Sequence, residues 1–210
     1  MSHRVFLLSP ASSAGKRCRQ LLARGAAFEL AHRVRDGGAP IGEVFSFLSS
    51  LYFRGKLTYA QRFAAPPGGC PGVLVITAGR GLVPPETAIT ARDVRAFHRI
   101  SIDAADRRYA QPLRTDALAL RERIPAETEI VLLGSIATPK YVDVLGAVFE
   151  RSLRFPGDFV GRGDMSRGGL LLRAARDGIE LAYRPVEGAQ RHGQRPAKLA
   201  PLPRASARPA

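Results

Sequence analysis

The chain has 210 residues, 45% of them hydrophobic, with 32 Lys and Arg against 18 Asp and Glu and a formal net charge of +14. That apolar share is enough for a buried core and excludes a wholly disordered chain, while the cationic excess points to a polyanion, nucleic acid before an anionic membrane surface. Cys18 and Cys70 are the only cysteines and do not sit at metal-ligand spacing, which excludes a disulfide framework and a zinc module.

The excess is carried by Arg far more than by Lys. A base-composition bias that enriches Arg, Ala, Gly and Pro is the alternative source of the charge. "MSHRVFLLSP" has too short an apolar run for a signal peptide, and no segment approaches membrane-spanning length. The expectation is a cytoplasmic, soluble protein.

"RVFLLSP" (Arg4–Pro10) reads as a buried strand ended by a Ser-Pro turn. Helical spacing follows in Cys18, Leu21 and Leu22, then in Ala27, Leu30, Ala31 and Val34. Gly25 is placed to divide this into two helices, and Gly37–Gly38 to end it. A second helical region presents Val44, Phe47, Leu48 and Leu51, and continues after Gly55 through Leu57, Ala60 and Phe63. Ala65–Gly72 is a loop. Val73–Leu82 is a buried strand running into "GRG" at Gly79–Gly81. "TEIVLLGSIATPKYVDVLGAVF" reads as strand, turn and helix, with Thr138 as N-cap and Pro139 at the first helical position.

Toward the end, Asp177–Gly178 lies between two β-prone runs and signals a hairpin, with a helix through Leu170–Arg176 as the competitor. From Gly188 the chain is Pro, Ala, Arg and Gly without an acid, the composition of a disordered basic tail. The reading is one α/β domain over residues 1–187, with a mainly parallel or mixed sheet flanked by helices, and a tail over 188–210.

The stretch "FVGRGDMSRGGLLLR" (Phe159–Arg173) crowds glycines and arginines together. Gly admits left-handed backbone and Arg offers a planar fork of donors, so the pattern reads as a loop built to hold an anion. Its acid, Asp164, is either a general acid/base or a partner for Arg162 or Arg167; pairing is the simpler reading. "RGD" here is coincidental. "SSAGKR" lacks the Gly and Ser/Thr positions of a phosphate loop. It leaves a weaker reading, in which Ser9, Lys16 and Arg17 hold an anion at a helix start. "YFRGKLTYAQRF" (Tyr52–Phe63) interleaves aromatics with Arg54, Lys56 and Arg62, which suits base stacking beside a phosphate backbone. Phe53 and Phe63 suit a core better than Tyr52 and Tyr59 do. The histidines His3, His32, His98 and His192 are scattered, so no metal site and no cofactor is expected.

Several stretches, taken in order over residues 4–173, resemble the YaaA peroxide-stress proteins and a related family of bacterial proteins. "VFLLSPASSAGKR" is similar to their opening strand and "SPAK" turn, and "YFRGKLTYA" to the segment after their long helical region. "LVITAGRGLVPPETAITARDV" resembles their "LSGLYGVLRP" block, "EIVLLGSIATPKYVDVL" their strand-helix, and "GRGDMSRGGLLL" their closing "ARGLMSRFII" motif. The resemblance implies an α/β fold that binds DNA in oxidative-stress protection, with some relatives in pathways that modify deazaguanine bases. Carried over by position, the matched residues are Ser9, Pro10, Lys16, Tyr52, Gly81, Pro84, Lys140, Tyr141, Arg162, Gly163, Met165, Ser166 and Arg167. The chain departs from the pattern in being shorter before Tyr52, in lacking a Tyr-Gly at "AGRGL", and in a "SRGGLLL" that reads as strand.

The combined expectation is a nucleic-acid-binding protein, DNA before RNA. Phosphate or nucleotide would be held by Ser9, Lys16, Arg17, Tyr52, Arg54, Lys56, Arg80, Gly81, Lys140, Arg162, Gly163, Ser166 and Arg167. The alternative is an enzyme that modifies or removes a nucleobase in the same pocket, with Asp164, Lys140 or Tyr141 in chemical roles.

Overall fold

The computed structural model describes residues 3–199. Strand β1 (Arg4–Leu8) lies at the centre of a six-stranded sheet. On one side it pairs in parallel with β3 (Val73–Ile76), Leu8 against Val75. On the other it pairs in parallel with β6 (Glu129–Leu133), Leu8 against Leu133, and β6 pairs in parallel with β7 (Leu153–Pro156). Antiparallel strands close the edges: β4 (Leu82–Val83) on β3 and β8 (Tyr183–Pro185) on β7. A two-stranded ribbon joins β2 (Ala39–Pro40) to β5 (Ala88–Ile89). The fold is α/β, with a mixed sheet whose inner strands are parallel.

The inner strands are apolar throughout because both faces are covered. Val5, Phe6, Leu7 and Leu8 alternate between faces, and all four are fully buried, as are Ile130 to Leu133. The helices that cover them are α1 (Lys16–Leu22), α2 (Glu29–Asp36), α3 (Ile41–Ser49), α4 (Leu51–Phe63), α5 (Ala91–His98), α6 (Arg107–Arg123), α7 (Pro139–Phe149) and α8 (Asp164–Asp177). The division between α1 and α2 around Gly25 matches expectation. So does the start of α7, with Thr138 at the N-cap position and Pro139 in the first turn. The break between α3 and α4 falls at Ser50, which takes a left-handed φ of 51°, and α4 runs unbroken through Gly55.

The Asp177–Gly178 hairpin is overturned. Residues 164–177 are one helix, and Gly178 terminates it at φ 67°, its amide returning to the Ala174 carbonyl. An Asp-Gly pair serves a tight hairpin and a left-handed helix cap equally well, and here the cap wins. The same helix overturns the strand reading of "SRGGLLL".

Residues 188–199 carry neither helix nor strand. The chain there is seated on the α8 entry: a Cβ on Gly161 would collide with the Gln194 carbonyl, and Arg162 Nη1 lies 3.5 Å from the Ala197 carbonyl. The rest of the expected tail, 200–210, lies outside the described residues.

Candidate functional site

At the carboxyl ends of the parallel strands the chain leaves the sheet in three turns. Ser9 follows β1, Ala78 follows β3 and Ser135 follows β6, and all three line one cavity of about 460 Å3. This is where an open α/β sheet places a ligand, and the size falls within the roughly 300–1,000 Å3 of small-molecule sites. Aromatic walls come from Phe45 on α3, Tyr52 on α4, Phe97 on α5 and Tyr141 on α7. The polar contributions include Ser9, Ser12, Ser13, Ser135, Lys140 and, at the start of α8, Asp164, with Ser49 and His98 beside them.

Ser9 sits on the cavity floor, 5% exposed, its amide donating to the Leu133 carbonyl at 3.1 Å. Directly behind it is Lys56, 1% exposed. Lys56 Nζ donates to the Ser9 carbonyl and lies 2.8 Å from Ser9 Oγ. The rings of Tyr52 and Phe53 flank the nitrogen, with centroids at 4.5 and 4.9 Å. Among the described residues no carboxylate lies within 4.0 Å of it. Burial therefore lowers the Lys56 ammonium to about 7, helped by the charges of Arg167 and Lys140 and opposed by Asp164.

Tyr52 is equally unusual. Its hydroxyl is buried and makes no well-formed hydrogen bond, the Arg167 side chain being the donor that reaches toward it. Burial pushes it up to about 12, although the Arg167 guanidinium is near enough for its charge to oppose the rise. Tyr141 is raised as well, chiefly by burial, with the Ser9 hydroxyl opposing. The Lys140 ammonium lies 5.2 Å from the Tyr141 ring centroid, and the Lys140 carbonyl accepts the Tyr109 hydroxyl at 2.9 Å, which pins the first turn of α7 to α6.

The structure brings together Ser9, Pro10, Tyr52, Lys56, Lys140, Tyr141 and Asp164 of the expected residues. It sends the others elsewhere. Lys16 and Arg54 are exposed on α1 and α4, away from the cavity. Arg17 reaches over α3 to the Phe47 carbonyl at 3.0 Å. Arg80 tops the β3–β4 turn and faces Asp93 at 3.4 Å. Gly81 is pressed against α6, where a Cβ would collide with Asp116 Oδ2. Met165 and Pro84 are exposed and stand outside the cavity lining.

The glycine-arginine stretch is a correction in kind. It is not an open loop wrapping an anion but a short turn followed by α8, with Gly163 at the N-cap position. Arg162 is engaged with Ser166 Oγ at 3.2 Å. Arg167 is 9% exposed, and its fork closes on the Phe159 carbonyl at 3.0 and 3.2 Å. Asp164 is 71% exposed and lies 3.7 Å from Arg167 Nη1. Tyr59 also leaves the candidate interface. It is fully buried, packs edge-on to Phe6, and shares a 2.6 Å hydrogen bond with the Tyr183 hydroxyl.

The polar contributions of Ser12, Ser13 and Ser135, and the wall from Phe45 and Phe97, were not legible beforehand. Short polar residues after a strand carry no signal apart from their place on the sheet. Among the described residues no group of three or more His, Cys, Asp or Glu side chains is gathered for a metal ion, and no helix is long and apolar enough to cross a membrane. Compared with protein-family models, curated proteins and solved structures, the chain matches none.

Proposed function

We propose that the protein binds nucleic acid, DNA in the first instance, and receives a single unpaired nucleobase in the cavity at the carboxyl end of the sheet. The observation that carries this reading is the aromatic-sided cavity at the carboxyl ends of the strands, with the Tyr52 hydroxyl buried in its wall and making no well-formed hydrogen bond. A buried polar atom left unsatisfied costs about 1–3 kcal/mol, and a ligand that hydrogen-bonds it recovers that cost. A flat heterocycle with edge donors and acceptors suits such walls, and a cavity of about 460 Å3 admits a base but not a duplex. The net charge of +14 supplies the attraction for the polyanion that delivers the base. The resemblance to the YaaA proteins supports the same reading and extends it to protection of DNA under peroxide stress.

The test is a comparison of ligands on one sample. Fluorescence anisotropy with labelled single-stranded and duplex oligonucleotides is followed by competition with free nucleosides. Preference for unpaired strands, competition by at least one nucleoside, and loss of that competition in Tyr52→Phe are the expected results. Equal affinity for duplex and single strand, with no nucleoside competing, would refute the base-in-cavity reading.

A further inference from the structure

The Ser9–Lys56 pair has a use that ligand binding does not require. A lysine buried to 1% exposure without a carboxylate is costly to keep, and a methionine of similar length would fill the space. Its nitrogen instead meets a hydroxyl of the cavity lining, Ser9 Oγ, at 2.8 Å, which the Tyr141 hydroxyl approaches as well. A neutral amine has two hydrogens and a lone pair. The ammonium donates to both Ser9 oxygens; once deprotonated, the amine keeps one hydrogen on the Ser9 carbonyl and turns its lone pair to the Ser9 hydroxyl. Room beside that hydroxyl is preserved by Gly134, where a Cβ would stand 3.0 Å from Ser9 Cβ and 3.3 Å from Oγ. A nucleophile within hydrogen-bond reach of a base, with the base held by packing, is the arrangement of a serine–lysine catalytic pair.

We propose that Ser9 is a nucleophile activated by Lys56, and that the cavity carries out acyl transfer on an ester or amide carbonyl. Ser9 Oγ attacks the carbonyl carbon and its proton passes to Lys56 Nζ. The bond from carbonyl carbon to leaving group breaks, and the leaving group takes the proton from Lys56. The acyl group is then an ester on Ser9. Water attacks that ester, Lys56 accepts the water's proton and returns it to Ser9 Oγ, and a carboxylic acid departs. One water is consumed and no oxidant or reductant is needed. Burial keeps Lys56 deprotonated in a large fraction of molecules just above neutral pH, which is what a base in this role requires. The inference does not depend on the ligand being a nucleobase.

The experiment uses the full chain and a fluorophosphonate probe, whose phosphorus forms a bond to an activated serine oxygen as fluoride leaves. Intact mass and peptide mapping locate the adduct, and the rate is followed from pH 5.5 to 9.5. The expected result is a single adduct on Ser9, with a rate that rises tenfold per pH unit below about pH 7 and reaches a plateau above it. Ser9→Ala removes the adduct, and a folded Lys56→Met slows labelling at pH 8 at least a hundredfold. Should Lys56→Met fail to fold, the profile of the unaltered protein decides. No adduct on Ser9 overturns the proposal, and so does a rate without a plateau or an unchanged rate in folded Lys56→Met. Nucleoside competition is read separately, so failure here leaves the binding result standing.

Discussion

Gly55 on α4 and Gly168 on α8 touch backbone to backbone. A Cβ on Gly55 would stand 2.7 Å from the Gly168 carbonyl oxygen, and one on Gly168 would stand 2.7 Å from the Leu51 carbonyl oxygen. This crossing sets how far Tyr52 and Lys56 on α4 stand from Asp164 at the start of α8. Adding a methyl forces the helices apart, at a typical overpacking cost of about 1–3 kcal/mol. Gly169, one residue on, has only a side-chain atom of Leu199 nearby, at 3.5 Å. Gly168→Ala is therefore expected to lower the melting temperature and weaken any ligand of the cavity. Gly169→Ala should raise the melting temperature, since Ala is favoured over Gly within a helix by about 0.5–1 kcal/mol. Thermal melts of the two variants side by side check the pair; equal effects would place the crossing elsewhere.

Arg167 and Arg162 separate in the same way. The Arg167 fork holds the Phe159 carbonyl at 3.0 and 3.2 Å and its guanidinium lies 5.3 Å from the Phe159 ring centroid, so it ties α8 to the turn before it. Arg167→Ala is expected to cost about 1–3 kcal/mol by leaving that carbonyl unsatisfied, and Arg167→Lys to recover only part of it. Arg162→Ala, which loses a bond to Ser166 Oγ at 3.2 Å, should cost less, about 0.5–1.5 kcal/mol. Denaturant melts measure both. Loss of affinity per folded molecule in Arg167→Ala, with an unchanged melt, would restore the anion-holding reading of that arginine.

The strands β1, β3 and β6 were legible because continuous apolar runs such as Val5–Leu8 and Ile130–Leu133 admit few alternatives, whereas β7 (Leu153–Pro156) and the two-residue strands are too short to leave a pattern. The glycines of 161–169 were not. Their spacing reads as loop, yet Gly168 exists for the approach of Gly55, more than a hundred residues away. Helix α6 went unread although Tyr109, Leu113, Ala117 and Leu120 form its buried stripe, because Pro112 and its arginines mask the period. Lys56 was legible as a cation but not as a buried one: its neighbours Tyr52 and Phe53 look the same on a nucleic-acid surface and around a desolvated amine.

Lys56 also sets a pH dependence of stability. Burial lowers its folded-state value from 10.5 to about 7, so between those values the unfolded chain holds a proton that the folded chain has released. Stability then rises with pH across that window, and the full penalty is present below about pH 7, where both states are charged. The raised value of Tyr52 acts in the opposite direction above about pH 10, so the rise is clearest from pH 7 to 9.5. Urea melts across this range should show increasing stability in the unaltered protein and a flatter profile in Lys56→Met. Parallel profiles would mean that the Lys56 ammonium stays charged in the fold.

The segment from Gly188 to Ala210 holds five cations and no acid: Arg191, Arg195, Lys198, Arg204 and Arg208. Its described part has no helix or strand, and it follows Val186, the last buried residue of the core, whose amide bonds the Leu153 carbonyl at 2.9 Å. Removing 188–210 leaves the paired strands in place and, among the described residues, gives up the packing of Ala189 on the core, the approach of Gly193 to Val160, the backbone seat of Gln194 over Gly161 and the reach of Arg162 to the Ala197 carbonyl. A cooperative melt with a small loss of melting temperature is expected. On duplex DNA each phosphate neutralised contributes roughly −0.9 to the slope of log affinity against log salt. If the segment's cations neutralise phosphates, truncation makes that slope shallower by about one for every phosphate no longer neutralised, and affinity falls most at low salt. Anisotropy titrations at several salt concentrations, on full-length and truncated chains, read the slope directly. An identical slope would assign the binding to the folded domain alone, whereas loss of the cooperative melt would make the segment part of the fold.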